Sequence, residues 1–73
     1  FSLVCANLIL GELLRLMPVF SMRVETGGHL VASGILRDQV KKIEEALPAT
    51  DFLVSRILRE DEWACMVLRK GGE

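Results

Sequence analysis

The run Phe1 to Ala6 is apolar and is closed by a polar Asn7. That is the pattern of a strand covered on both faces, as in a parallel sheet. From Leu10 the period changes. Leu10, Leu13, Leu14, Met17, Phe20 and Val24 recur at intervals of three and four, which places them on one face of a helix. Pro18 lies inside this pattern and lacks a backbone N–H, so it should kink the helix or divide it into two shorter pieces, and Gly27-Gly28 should stop it. His29 to Ser33, centred on Leu30, Val31 and Ala32, reads as a second strand ending at Ser33-Gly34. Leu36, Val40, Ile43 and Leu47 then form the apolar stripe of a second helix, with Arg37, Asp38, Lys41, Lys42, Glu44 and Glu45 on its remaining face and Pro48 at its end. Two β-rich runs follow, Phe52 to Leu58 and Trp63 to Leu68, joined by the charged segment Arg59 to Glu62 as an antiparallel hairpin.

The order is therefore strand, helix, strand, helix, strand, strand. Strands that alternate with helices pair in parallel through right-handed crossovers, and the hairpin adds an antiparallel strand, so the fold class is α/β. The sequence holds no internal repeat or low-complexity stretch, and Lys70 to Glu73 reads as a frayed end.

Composition narrows this picture. A chain of 73 residues makes one small domain at most, burying only about 60% of the surface it exposes when unfolded. Its apolar content of 51% and charged content of 26% belong to a globular core rather than a disordered tail. A net charge of −1 gives no pull toward nucleic acid or an anionic membrane, each of which calls for a basic patch. The run from Phe1 to Leu14 is broken by Asn7, Gly11 and Glu12, too soon for a membrane span, and it has no basic leader of the kind that opens a signal peptide. A start at Phe1 without Met reads as a piece of a longer protein. Cys5 and Cys65 sit in apolar runs sixty positions apart and are expected to be reduced core residues of a cytoplasmic protein, although one disulfide between them is the alternative. Two distant Cys and one His have no paired ligand spacing, so no metal site is expected.

Three segments carry a resemblance: CANLILGEL after the first strand, TGGHLVASGIL across the second and EDEWACMVLRK in the hairpin. Together they resemble the PrmA-type family, which methylates a protein of the large ribosomal subunit. That family shows an Ala-Asn-Leu or Ala-Asn-Ile turn, a Pro-Gly-Gly lead into a strand ending Ser-Gly-Ile-Leu, and a Glu-Trp opening the last strand. The resemblance covers nearly the whole chain. It implies the C-terminal half of a Rossmann-like class I methyltransferase sheet, with residues 1–73 a partial domain lacking its cofactor-binding N-terminal half. It also implies S-adenosylmethionine as the cofactor of the complete enzyme, and amino groups of a ribosomal protein, lysine or N-terminal, as the target. Thr26 departs from the family's Pro, which alters a turn but not the chemistry. The glycine-rich turn and the acidic residue that hold such a cofactor are missing, because Gly27-Gly28 precedes a strand rather than opening a helix. The chain alone is accordingly expected neither to bind S-adenosylmethionine nor to turn over.

Asn7 is the foremost candidate residue, since it follows an apolar strand at the carboxyl edge where open α/β sheets bind ligands. The resemblance implies a catalytic and substrate-binding role: its carboxamide oxygen would hold a hydrogen of the neutral amine while the lone pair is aimed at the methyl group. The plainer reading is an Asn that ends a strand by bonding its own backbone. Ser33 and Gly34 stand at the matching edge of the second strand. They line the substrate entrance if the resemblance holds, or make the turn into the next helix with Ser33 as its cap. His29 opens its strand at the opposite end and reads as a surface histidine. Trp63 resembles the family tryptophan and is expected to pack. Glu60, Asp61 and Glu62 make a solvated acidic tip, and Met17, Met22 and Met66 fill the core.

The rival reading is a non-catalytic assembly or interaction module derived from the same fold. A nucleotide-dependent oxidoreductase fragment explains neither the hairpin nor the Asn7 turn. Either leading reading leaves the outer edge of Phe1 to Ala6 bare and free of charge or Pro, and part of the stripe of Leu10, Leu13, Leu14 and Met17 exposed, so self-association along that strand is expected, and a charge at Val4 should break it.

Overall fold

In a computed structural model, which describes residues 1–71, β1 (Leu3–Asn7) leads into α1 (Leu10–Arg23), followed by β2 (His29–Leu36) and α2 (Val40–Ala46). Short 3₁₀ turns, Arg37–Gln39 and Leu47–Ala49, flank α2, and the hairpin strands β3 (Phe52–Glu60) and β4 (Trp63–Lys70) close the chain. The four strands form one sheet in the order β1-β2-β4-β3. β1 and β2 run parallel from Leu3 opposite His29 to Asn7 opposite Ser33. β4 enters between β2 and β3, antiparallel to both. The α/β class and the terminal hairpin are thus as the hydrophobic pattern predicts. The antiparallel strand that the hairpin adds is β4, inserted between β2 and β3.

Alternation along each strand decides where the core lies. Leu30, Ala32 and Ile35 of β2 and Ala64, Met66 and Leu68 of β4 are all buried, and they share one cluster with Leu13 and Met17 of α1 and Val40 and Ile43 of α2. Both helices therefore cover the same face of the sheet, giving two layers. The opposite face, carrying Leu3, Cys5, Leu53, Leu58 and Trp63, is exposed in this chain. Three expectations change here. The β1 run is covered on one face only. Cys5 is exposed rather than in the core, and Cys65 is half-buried; both are free thiols. The stripe of α1 is packed instead of bare, with Leu13 and Met17 buried and Leu10 and Leu14 partly so.

Helix α1 is continuous through Pro18 rather than split in two. A proline inside a helix costs roughly 3 kcal/mol, but Pro18 faces solvent while Leu13, Met17 and Val24 are buried beneath it. Each such burial contributes about 1.5–3 kcal/mol, enough to offset the lost bond. Met22, predicted to fill the core, is 83% exposed. The reason is geometric: at 100° per residue it lies opposite Leu13 on the helix. Met17 and Met66 are buried as expected.

Element ends also shift. β2 runs on to Leu36, three residues past Ser33, and its register against β4 slips between Ala32 and Ile35, which marks a β-bulge. Ser33 consequently lies within the strand and is no helix cap. The Leu36 N–H is instead bonded to Gln39 Oε1 at 3.1 Å as the chain turns toward α2. The hairpin strands are longer than predicted because their turn is only two residues, Asp61 and Glu62, with Asp61 in the left-handed region at φ 55°. Arg37 ties that turn to the end of β2: its N–H donates to the Glu62 carbonyl at 2.8 Å and its Nη1 to the Asp61 carbonyl at 3.0 Å. At the other end, Lys70 still belongs to β4 and Gly71 N–H donates to the Asp51 carbonyl, so fraying does not begin at Lys70. The remainder of that expectation, Gly72 and Glu73, lies outside the described residues. No helix among the described residues is long and apolar enough to cross a membrane.

Candidate functional site at the carboxyl edge of the sheet

Parallel pairing of β1 and β2 brings their carboxyl ends side by side, and the candidates from the sequence meet there. Asn7 is the last residue of β1 and faces Ser33 in register. Its side chain is exposed and takes part in none of the side-chain hydrogen bonds among the described residues. Both the carboxamide oxygen and its N–H₂ group therefore keep hydrogen-bonding capacity that no described residue uses. Ser33 directs its hydroxyl back toward the Ala6 carbonyl at 3.5 Å, a long contact, and so leans on β1 rather than away from it.

Gly34 follows in the bulge with φ 75°. A β-carbon placed there would lie 2.2 Å from Asn7 Oδ1, so the carboxamide rests directly against the glycine backbone. Asn7, Ser33 and Gly34 thus form one cluster drawn from two strands.

Beside it lies an open groove of about 450 Å³, walled by Ser33 and Gly34 on one side and by Leu58, Arg59, Glu60, Trp63, Ala64 and Cys65 of the hairpin on the other. The bulge borders this groove: Ser33 and Gly34 lie in the interval where the β2–β4 pairing is interrupted, between Ala32 and Ile35, and the pairing resumes at Ile35 opposite Ala64. Trp63 is 52% exposed at its mouth rather than packed in the core. The alternation of β4 explains this: Ala64, Met66 and Leu68 take the helix-covered face, leaving Trp63, Cys65 and Val67 on the open one. Alternation along β4, read with a two-residue turn in place of the four-residue connection expected from the sequence, is the signal that would have put Trp63 and Cys65, and Leu58 opposite Cys65, on the open face.

The other candidates stay apart. His29 begins β2 at the far end of the strand from Asn7 and is half-buried. Glu60, Asp61 and Glu62 are exposed, as a solvated tip should be. No three His, Cys, Asp or Glu side chains gather into a possible metal site among the described residues.

Known proteins resemble this chain in sequence and in fold. The family model described as ribosomal protein L11 methyltransferase (PrmA) matches residues 1–71. A ribosomal protein L11 methyltransferase of Geobacter sulfurreducens is 33% identical over 72 residues, covering 99% of this chain and 24% of that protein. One of Moorella thermoacetica is 36% identical over 69 residues, covering 94% of this chain and 22% of its own length. The crystal structure of a ribosomal protein L11 methylase from Lactobacillus delbrueckii subsp. bulgaricus superimposes with a TM-score of 0.89 at 29% identity, over 99% of this chain and 37% of that one. The chain spans about a quarter of the length of the relatives it matches. Its strand order is that of the C-terminal part of a class I methyltransferase sheet.

Proposed function

The chain belongs to the ribosomal protein L11 methyltransferase (PrmA) family, and on that premise we propose that it is the part of a cytoplasmic, S-adenosylmethionine-dependent enzyme that presents an amino group of ribosomal protein L11 for methylation. The observation that carries this reading is the exposed carboxamide of Asn7 at the carboxyl end of β1, set beside an open groove. Ligands of open α/β sheets bind at that edge. Asn7 Oδ1 is an acceptor with no partner among the described residues, suited to take one hydrogen of a neutral amine. That bond fixes the direction of the nitrogen lone pair, and orientation of a bound nucleophile is worth several kcal/mol of barrier. The half-exposed Trp63 and the apolar Leu58 give the groove a wall for the methylene stem of a lysine side chain.

A cofactor cradle does not fit these residues. Gly27, at φ 85°, and Gly28 make the turn that enters β2, at the end of the sheet away from Asn7, and no helix N-terminus follows them. The methyl donor is held by parts of the parent enzyme beyond this chain, and the chain by itself is inactive.

The test is Asn7→Ala in the complete parent enzyme, with turnover and cofactor affinity measured separately. Turnover should fall by about a hundredfold, the size typical of losing one positioning hydrogen bond, with cofactor affinity nearly unchanged. Turnover within about threefold of the parent, under roughly 1 kcal/mol, reduces Asn7 to a turn residue.

A further inference from the structure

We propose that Gly34 is a positioning residue for Asn7: by lacking a β-carbon in the β2 bulge, it leaves the slot in which the Asn7 carboxamide lies. The inference rests on the role given to Asn7 above and replaces direct substrate contact as the reason for a glycine at this position. Three observations support it. The β-carbon that any other residue would carry falls 2.2 Å from Asn7 Oδ1 and 3.4 Å from its Cγ. The next nearest atom is the Leu8 carbonyl oxygen at 3.9 Å, an ordinary contact, so the collision is with the Asn7 side chain alone. The bulge sets this geometry. β1 and β2 stay in register up to Asn7 opposite Ser33. The register slip in β2 and the φ of 75° at Gly34 then turn the backbone under the carboxamide.

A side chain at Gly34 leaves the carboxamide two choices. It can rotate away, so that Oδ1 no longer points where the amine would sit, or it can force the strand ends apart. Either outcome misdirects the acceptor without touching the substrate.

Two effects of a substitution must be separated, because φ 75° strains any L-residue whether or not Asn7 is present. A double-mutant cycle in the complete parent enzyme does this. Turnover at saturating substrate and cofactor, cofactor affinity and thermal midpoint are measured for the parent, Gly34→Ala, Asn7→Ala and the double variant. Gly34→Ala should lower turnover at least tenfold with cofactor affinity within twofold. Added to Asn7→Ala, it should change turnover less than threefold, and it should lower the midpoint less than it does when Asn7 is intact. Gly34→Asn, which carries a β-carbon but tolerates the left-handed region, should lose turnover like Gly34→Ala; this variant decides the matter where Gly34→Ala fails to fold.

Equal turnover losses in both backgrounds, or a Gly34→Asn enzyme as active as the parent, would overturn the inference. Failure of the Asn7 role itself is distinguishable: Asn7→Ala then turns over normally, while the difference in midpoint between backgrounds still reports whether Gly34 seats the carboxamide.

Discussion

Removing the side chain of Ile43 should detach α2 from the sheet. The helix has only seven residues, far below the length at which a helix holds in water unaided. Its attachment rests on Val40 and Ile43 within it and Leu47 just after it, all buried. Ile43 is fully inaccessible, at 0% exposure, so Ile43→Ala forfeits its transfer energy and leaves a cavity, together about 2–5 kcal/mol. A 73-residue chain at roughly 0.05–0.15 kcal/mol per residue has about 4–11 kcal/mol in total. The substitution therefore removes about a fifth of the stability at the least. With a urea dependence of about 1 kcal/mol per molar for a domain this small, the midpoint should fall by about 2 M or more. Circular dichroism at 222 nm is the suitable probe, because the single tryptophan, Trp63, is already half-exposed when folded. Ile43→Val should cost about 0.5–1.5 kcal/mol. Leu53→Ala, at an exposed site on the open sheet face, should stay within about 0.5 kcal/mol. A midpoint shift below about 1 M for Ile43→Ala would refute the reasoning, since it would mean that α2 is held by something other than its three buried anchors.

Titration calorimetry of the 73-residue chain with S-adenosylmethionine should register no binding, and a low-micromolar dissociation constant would show that this chain alone makes a cofactor cradle. The chain should self-associate at micromolar concentration through the uncharged edge of β1, and Cys5→Lys, on the exposed face of that strand, should return light-scattering mass to the monomer; an unaltered mass rules out this edge. Val4 is a poorer place for the charge, because it packs against the helix-covered core and would unfold what it was meant to probe. Arg37→Ala should loosen the Asp61–Glu62 turn, costing about 0.5–1.5 kcal/mol for the guanidinium bond and speeding amide exchange near the turn; unchanged exchange there would show that the Arg37 side chain does not restrain it.

How much of this was legible in the sequence depended on whether the deciding contacts were local. The α1 stripe from Leu10 to Val24 and the α2 stripe from Leu36 to Leu47 are written in the spacing of apolar residues, and both helices formed. The juxtaposition of Asn7 with Ser33 and Gly34 was legible too, because two parallel strands joined by a helix place their carboxyl ends together. What failed were features fixed by distant partners. Ser33-Gly34 reads locally as a turn, yet pairing of Ile35 and Leu36 with Ala64 and Trp63 carries the strand past it as a bulge. Pro18 reads as a helix breaker, yet burial of Leu13 and Met17 against the sheet holds α1 together. The apolar run at the start of the chain reads as buried on both sides, whereas both helices share one face. The contact between Gly34 and the Asn7 carboxamide spans two strands and depends on a φ angle, so no spacing rule would have exposed it.

The place of β4 in the sheet has a consequence for biosynthesis. It is synthesised after both of the strands it pairs with, β2 on one side and β3 on the other. Until Trp63–Lys70 is made, β3 has no partner in the sheet and the buried face of β2 lacks the cover of Met66 and Leu68. Pairing β4 with the sequence-distant β2 is slow, because the entropy of closing the loop is lost before any contact compensates it. A nascent chain interrupted just before Trp63 would thus expose two open strand edges at once, and a stop codon there should send the product to aggregation or degradation rather than to a smaller folded core.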